Sequence, residues 1–303
     1  MKISLVGLSG CGKTSIYATT FAFKKPEETE KFAPTVMYEV RNHPYLGLNV
    51  SIFDFGGQEQ YRESYLEKTE VFKETDILIP IVDLHDRDSF QEAANYFSRI
   101  VEAFKSFEKR PKVVIFYHKY DSKNFEKELL EVNYQEAKKL IGEIFKDCDY
   151  TEYKTSIYDQ EQLSMIFRDL LVANYKDLQK QVENAQDLLK KIDAKIIISD
   201  INGNVIVHNV SGISTGLQLR ADLRDFISSC NTLRENFFRS DSVKFAGTTP
   251  ESNREIHIYI FKYILSVLIM GDNLSDEKFQ ESVSQLLKDM ELFAQLVVKA
   301  HEE

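Results

Sequence analysis

The sequence predicts a doubly wound α/β domain with a mostly parallel sheet over residues 1–174, followed by an α+β domain on an antiparallel sheet over residues 175–303. Length is the first reason, because 303 residues exceed the roughly 100 to 200 that one domain takes. The second is that short β-branched runs in the first part alternate with segments long enough for helices, the pattern of strands joined by crossovers. The third is a change of order near Lys176, beyond which strands follow one another with helices bracketing them.

In the first part the strand runs are LVG at 5–7, SIFDF at 51–55, ILIPIVD at 77–83 and KVVIFYH at 112–118. Residues 89–107 place Phe90, Ala93, Ala94, Phe97, Ile100, Val101 and Phe104 at three- and four-residue spacing, so one helical face is apolar and covers the sheet. The acidic stretch 126–136 reads as a solvated helix face. In the second part a helix over 176–191 precedes the runs AKIIISDI and VIVHN, and Asn202-Gly203-Asn204 between them marks a tight hairpin in which Gly203 supplies positive φ. A helix over 219–238 stacks Leu219, Leu223, Phe226, Cys230, Leu233 and Phe237. The runs SVKFAG, EIHIYIF and YILSVLIM follow, the last two nearly contiguous and so a hairpin. A closing helix carries Phe279, Val283, Leu286, Met290, Phe293 and Val297 on one side.

Composition excludes several classes. With 43% hydrophobic and 28% charged residues the chain is neither disordered nor low-complexity, and it reads as a soluble folded protein. Its longest apolar run, residues 263–270, falls far short of the ~20 residues a membrane-spanning helix needs. The start MKISLVG has no signal-peptide pattern, Lys2 excludes a myristoylation glycine and the ending AHEE has no prenylation cysteine. Membrane contact is therefore expected only through partners. Three scattered cysteines, Cys11, Cys148 and Cys230, lack metal-ligand spacing and point to a reducing cytoplasmic setting. A net charge of −10 repels phosphate backbones, so nucleic acid is not an expected partner.

The chemistry starts at Gly7-Leu8-Ser9-Gly10-Cys11-Gly12-Lys13-Thr14, a match to G-x-x-x-x-G-K-[ST] after the first strand and before a helix, followed by Ser15. Glycines let the loop curl so that the N–H groups of Ser9 to Ser15 face a β-phosphate, with the helix end adding its positive pole. Lys13 then bridges β- and γ-phosphates, and the Thr14 hydroxyl ligates Mg2+. Asp54-Phe55-Gly56-Gly57-Gln58 closes the second strand run. Asp54 is expected to hold the metal through water, Gly57 to offer its N–H to the γ-phosphate, and Gln58 to orient the attacking water. The polar, turn-rich segment 24–37 ends in Ala33-Pro34-Thr35, and Thr35 is the threonine that would cap the metal.

The base is read at His118-Lys119-Tyr120-Asp121, at the end of the last strand run. Asp121 accepts from guanine N1–H and the exocyclic amine, while the Lys119 stem stacks on the ring. Adenine lacks those donors and would leave the carboxylate unpaired, at about 1–3 kcal/mol. GTP and GDP are therefore the expected ligands. Lys154-Thr155-Ser156-Ile157 lies where a backbone donor to the guanine carbonyl is needed, which makes Ser156 and Ile157 candidates.

Taken in order and spacing, GLSGCGKTS, FDFGGQ, HKYD and KTSIYD resemble the Rag/Gtr branch of Ras-like GTPases. HK-x-D and TSI separate that branch from relatives carrying N-K-x-D and S-A-K. The resemblance covers nearly the whole chain, and it implies a P-loop GTPase domain followed by a roadblock/longin-like dimerisation domain. It further implies a nutrient-signalling switch that recruits effectors in its triphosphate state, and the intact DFGGQ resembles the subunit that switches on with GTP. The implied partners are a second copy or a Rag-like paralogue, roadblock-type scaffold proteins, and GTPase-activating and exchange proteins. For a eukaryotic source it implies a lysosomal or vacuolar membrane reached through a scaffold; an archaeal source fits the compact chain equally. Ser9 stands where the Ras family usually has glycine and would crowd Gln58, and no arginine lies between the phosphate-loop helix and Thr35 to act as an internal finger. Slow hydrolysis without a partner is expected.

Two rival readings remain: a P-loop ATPase or small-molecule kinase, which an arginine-rich lid would mark, and a non-hydrolysing nucleotide-bound scaffold acting through its C-terminal domain. His208 and His257 sit in strand-like runs as ordinary histidines, and His301 falls in an expected tail.

Overall fold

The computed structural model describes residues 1–22, 24–46, 48–121, 125–173, 175–210, 242–248, 255–262 and 264–302. They form two compact units: Met1–His43 with Asn49–Leu163, and Pro44–Leu48 with Ser164–Glu303. The division falls inside a helix, ahead of residue 174, because the last turns of that helix pack with the second unit. Arg168 there donates to the Ile206 carbonyl at 2.8 Å. Composition does not change within a continuous helix, so the sequence carries no mark of this point.

Along the chain to residue 172 the elements run β1 (Lys2–Val6), α1 (Lys13–Thr20), a single turn α2 (Pro26–Thr29), β2 (Tyr38–Tyr45), β3 (Leu48–Phe55), α3 (Glu59–Glu67), β4 (Ile77–Asp83), α4 (Phe90–Phe104), β5 (Lys112–His118), α5 (Lys127–Phe145), β6 (Tyr150–Thr155) and α6 (Gln160–Val172), of which α6 from Ser164 onward belongs to the second unit. The six strands lie in the order β2-β3-β1-β4-β5-β6, with β1 parallel to β3 and β4, and β4, β5 and β6 parallel in turn. This is the mostly parallel, doubly wound sheet that the strand spacing predicts. Crossing from β1 to β3 on one side and to β4 on the other makes a switch point, where the carboxyl ends of the strands open a crevice for ligands. The central strands are nearly continuous apolar runs because both faces are covered. Ile3, Leu5, Ile79, Val114 and Phe116 are fully buried. On α4 the expected stripe is buried at Phe90, Ala93, Ala94, Phe97, Ile100 and Phe104, while Val101 lies at its margin.

Two strands escape the strand runs read from the sequence. β2 carries Tyr38 and Val40 half-exposed on an edge, and β6 is YTEYKT. β2 alternates only over Tyr38–Arg41 and β6 spaces its two tyrosines three apart, so neither offers the apolar β-branched run that marks the other strands.

In the second unit the order is α7 (Lys176–Leu189), β7 (Lys195–Asp200), β8 (Val205–His208), β9 (Ser242–Thr248), β10 (Glu255–Phe261), β11 (Leu265–Gly271) and α8 (Glu277–Glu302). The strands form an antiparallel sheet ordered β8-β7-β11-β10-β9. Gly203 takes φ +82 in the β7–β8 link, where Asp200 Oδ1 accepts from the N–H groups of Asn202 and Asn204 at 2.8 and 2.9 Å. The expected β10–β11 hairpin is present. Val283, Leu286, Met290, Phe293 and Val297 of α8 are fully buried. That helix runs on to Glu302, so His301 sits in a helix rather than a tail. The helix expected over 219–238 lies outside the described residues. Among the described residues no helix is long and apolar enough to cross a membrane.

Candidate functional site

A cavity of about 660 Å³ opens at the carboxyl ends of the first unit's strands. One wall is the turn from β1 into α1, contributing Ser9, Gly10, Gly12, Lys13, Thr14 and Ser15. Gly10 and Gly12 hold φ of +78 and +96, left-handed values that glycine adopts without penalty. Lys13 is buried, and its Nζ donates to the carbonyls of Gly7 and Leu8 at 3.0 and 2.7 Å. The Cys11 side chain is buried beneath the loop and does not line the cavity, with its Sγ 3.4 Å from Lys13 Nζ.

Across the cavity stand Ala33, Pro34 and Thr35. Thr35 Oγ1 lies 3.0 Å from Thr14 Oγ1, and Thr14 donates to Asp54 Oδ2 at 2.7 Å. Three residues far apart in sequence thus converge within hydrogen-bond reach. Asp54 itself is fully buried. Gly57 lines the cavity and packs on the phosphate loop. A Cβ there would fall 2.3 Å from the Leu8 carbonyl carbon and 2.4 Å from Ser9 N. Gln58 is not brought in: it precedes α3, and its Oε1 accepts from Gln60 Nε2 at 3.3 Å, outside the cavity lining.

The far end is made by His118, Lys119, Asp121 and Ile157. Lys119 has φ +62 and pairs with Asp83 at 2.5 Å. Ser156 donates from Oγ to Asp121 Oδ2 at 2.7 Å, so its side chain aims that carboxylate rather than lining the cavity. Tyr120 N–H donates to the Thr155 carbonyl at 2.9 Å, tying the segment after β5 to the end of β6. Lys154 faces elsewhere, paired with Glu131 at 2.8 Å.

His118, in the position where most guanine motifs carry asparagine, is a buried brace. Its Nδ1 is 2.9 Å from Thr155 Oγ1, and a Cβ on Gly12 would meet its ring at 2.7 Å. Burial, with Lys119 and His85 adding repulsion, pushes its pKa down to about 3 from an ordinary 6.5. A histidine held neutral in the fold charges first in the unfolded chain, so stability falls as pH drops below 6.5 toward 3. Between pH 6.5 and about 5 the loss is expected to be about 1.5 kcal/mol. Urea midpoints at the two pH values test this, and His118→Asn should remove about that much of the loss, leaving the part due to His257, whose pKa burial also lowers.

Sequence reading missed His85 and Asp83, and gave Thr155 and Tyr158 no role of their own although both stand in KTSIYD. His85 lines the cavity, stacks on Phe125 with ring centroids 4.7 Å apart, and carries a buried Nε2 without a hydrogen-bond partner. Its signal was position, two residues beyond a parallel strand that ends at the crevice.

A mostly parallel sheet with a lysine-bearing glycine loop at its first turn, opening into one cavity at the strands' carboxyl ends, defines a P-loop fold of the Ras-like GTPase class. A family model described as the Gtr1/RagA G protein conserved region matches residues 2–212. The chain belongs to that family. GTP-binding protein gtr1 of Schizosaccharomyces pombe is 26% identical over 252 residues, covering 78% of this chain and 79% of that protein. Ras-related GTP-binding protein A of Dictyostelium discoideum is 25% identical over 249 residues, covering 78% and 80%. Among solved structures, the nucleotide-analogue complex of the Arl6 small GTPase from Trypanosoma brucei aligns with 54% of this chain and 90% of its own, at 18% identity and a TM-score of 0.41.

The family typically uses Mg2+, an ion that takes oxygen donors and completes its shell with substrate phosphates and water. The Thr14 and Thr35 hydroxyls and the Asp54 carboxylate supply such donors, and Asp54 Oδ1 is buried with no hydrogen bond of its own. These residues fit the ion. Among the described residues there is no cluster of three or more His, Cys, Asp or Glu that could hold a metal.

Proposed function

We propose that this chain is a guanine-nucleotide switch that binds GTP and GDP in the first unit, hydrolyses GTP slowly, and dimerises through the second. The observation that carries the reading is the single cavity holding Lys13, Thr14 and Thr35 at one end and Lys119, Asp121 and Ile157 at the other. Lys13 and the loop N–H groups bind the phosphates. Asp121, aimed by Ser156, accepts from the guanine edge, and the backbone at Ile157 meets its carbonyl. Bound Mg2+, held by Thr14, Thr35 and Asp54, neutralises phosphate charge. Thr35 and Gly57 close on the γ-phosphate, Gln58 turns in to orient water, and hydrolysis frees the two segments, which is the signal.

The order β8-β7-β11-β10-β9 flanked by α7 and α8 supports a roadblock-type module. Dimerisation with a second copy or a paralogue, scaffold and effector binding, nutrient signalling and attachment to a membrane through partners belong to the proposal. A second reading, the non-hydrolysing scaffold, is favoured by Gln58 lying outside the cavity lining.

Nucleotide affinities and single-turnover hydrolysis test both readings. Guanine nucleotides are expected to bind at least about tenfold tighter than adenine nucleotides, the order of one unpaired buried carboxylate. Gln58→Leu should slow turnover by at least about tenfold. Tighter ATP than GTP binding would sink the base assignment. Undetectable hydrolysis in the unaltered chain would favour the scaffold.

A further inference from the structure

Arg41 on β2 lies six residues beyond Thr35, outside the segment where an arginine finger is sought. Its Nη1 donates to Asp54 Oδ2 at 3.0 Å, the same oxygen that accepts from Thr14. Its guanidinium lies 4.4 Å from the Tyr17 ring centroid and also contacts Glu39 on its own strand. Asp54 is fully buried, and Arg41 is its only cationic partner among the described residues. The arginine is thus clamped between α1, β2 and β3 rather than draped on a surface.

From this geometry we infer that Arg41 is a positioning residue for the metal: a resident counter-cation on Asp54 that weakens Mg2+ and so sets how much of the ion is needed to retain nucleotide. The inference rests on the nucleotide reading above. A carboxylate already neutralised at 3.0 Å attracts a divalent ion less, and the nearby positive charge repels that ion directly. Glu39 offers the guanidinium a second partner on the same strand, so metal entry can hand Arg41 from Asp54 to Glu39. Because Thr35 and Arg41 share one segment, that transfer links metal occupancy to the threonine loop.

The test is release of a fluorescent GDP analogue from the full chain across a magnesium titration, with Mn2+ binding to the GDP complex followed by electron paramagnetic resonance. Arg41→Gln should lower the magnesium midpoint by at least about tenfold, because a unit charge a few ångströms away acts about fivefold even in bulk water and more strongly in a partly buried site. Glu39→Gln should raise it, because Arg41 is then left with Asp54 alone. Arg41→Lys, which keeps the charge, should stay near the unaltered midpoint. Shifts of opposite sign for Arg41→Gln and Glu39→Gln, matched in Mn2+ affinity, support the inference. An unmoved midpoint in both overturns it, whatever happens to stability, and makes Arg41 a brace between strands. Should Arg41→Gln not fold, the sign of the Glu39→Gln shift decides alone. A chain that retains no GDP at any magnesium concentration strikes the nucleotide reading itself.

Discussion

Lys13→Ala is expected to weaken GTP and GDP binding by roughly 30- to 5,000-fold, the equivalent of about 2–5 kcal/mol for losing one partner of a buried charge pair. Lys13 is buried, and its ammonium is held by the carbonyls of Gly7 and Leu8 within the loop proposed to bind the phosphates. In that site water screens the interaction with phosphate poorly, so the charge counts for more than at a surface. The fold itself should survive, because the lysine's partners are carbonyls of its own loop and no opposite charge is stranded by its removal. Isothermal titration with GDP, alongside circular dichroism of the variant, separates the two effects. Affinity within threefold of the unaltered chain would remove Lys13 from the phosphate site.

Gly57→Ala should open the contact between the start of α3 and the phosphate loop. A methyl group there meets the Leu8 carbonyl carbon at 2.3 Å and Ser9 N at 2.4 Å. These are backbone atoms of a loop whose glycines already hold unusual φ, so they cannot step aside as a side-chain tip would. Overpacking of this kind costs about 1–3 kcal/mol or more. The strain is relieved most readily by moving residues 57–58, because the phosphate loop is tied into β1 and α1. Hydrogen exchange at the amides of α3 reads the result, and an acceleration of about five- to a hundredfold is expected. Gly10→Ala is the control: its φ is +78, but nothing lies within 4 Å of the added Cβ. It should show only the backbone cost of about 1–2 kcal/mol, with exchange in α3 unchanged. Equal exchange in Gly57→Ala and the unaltered chain would mean that this packing is not what holds α3 in place.

The same residues mark how far the sequence could be read. The phosphate loop was legible because its chemistry is local: consecutive residues supply the positive-φ glycines, the N–H groups and the lysine. The strands ILIPIVD and KVVIFYH were legible because burial on both faces leaves a continuous apolar run. The edge strand β2 was not, since exposed Glu39 and half-buried Arg41 interleave with exposed Tyr38 and Val40 and leave no continuous apolar run. His118 illustrates the boundary between the two. Its motif was visible in the chain, yet its buried neutral state came from Thr155 and Gly12, residues 37 and 106 positions away, packing against the ring.

From the chain alone came the alternation of strands and helices, the order of the motifs and the expectation of a guanine nucleotide, because each was read from neighbours along the backbone. Only the tertiary structure decided that Asp54 shares one oxygen between Thr14 and Arg41, that Ser156 serves Asp121, and that Gln58 lies outside the cavity lining. The contacts among them join residues 13 to 40 positions apart. Their distances are set by how the sheet is ordered, and no local pattern of residue types encodes them.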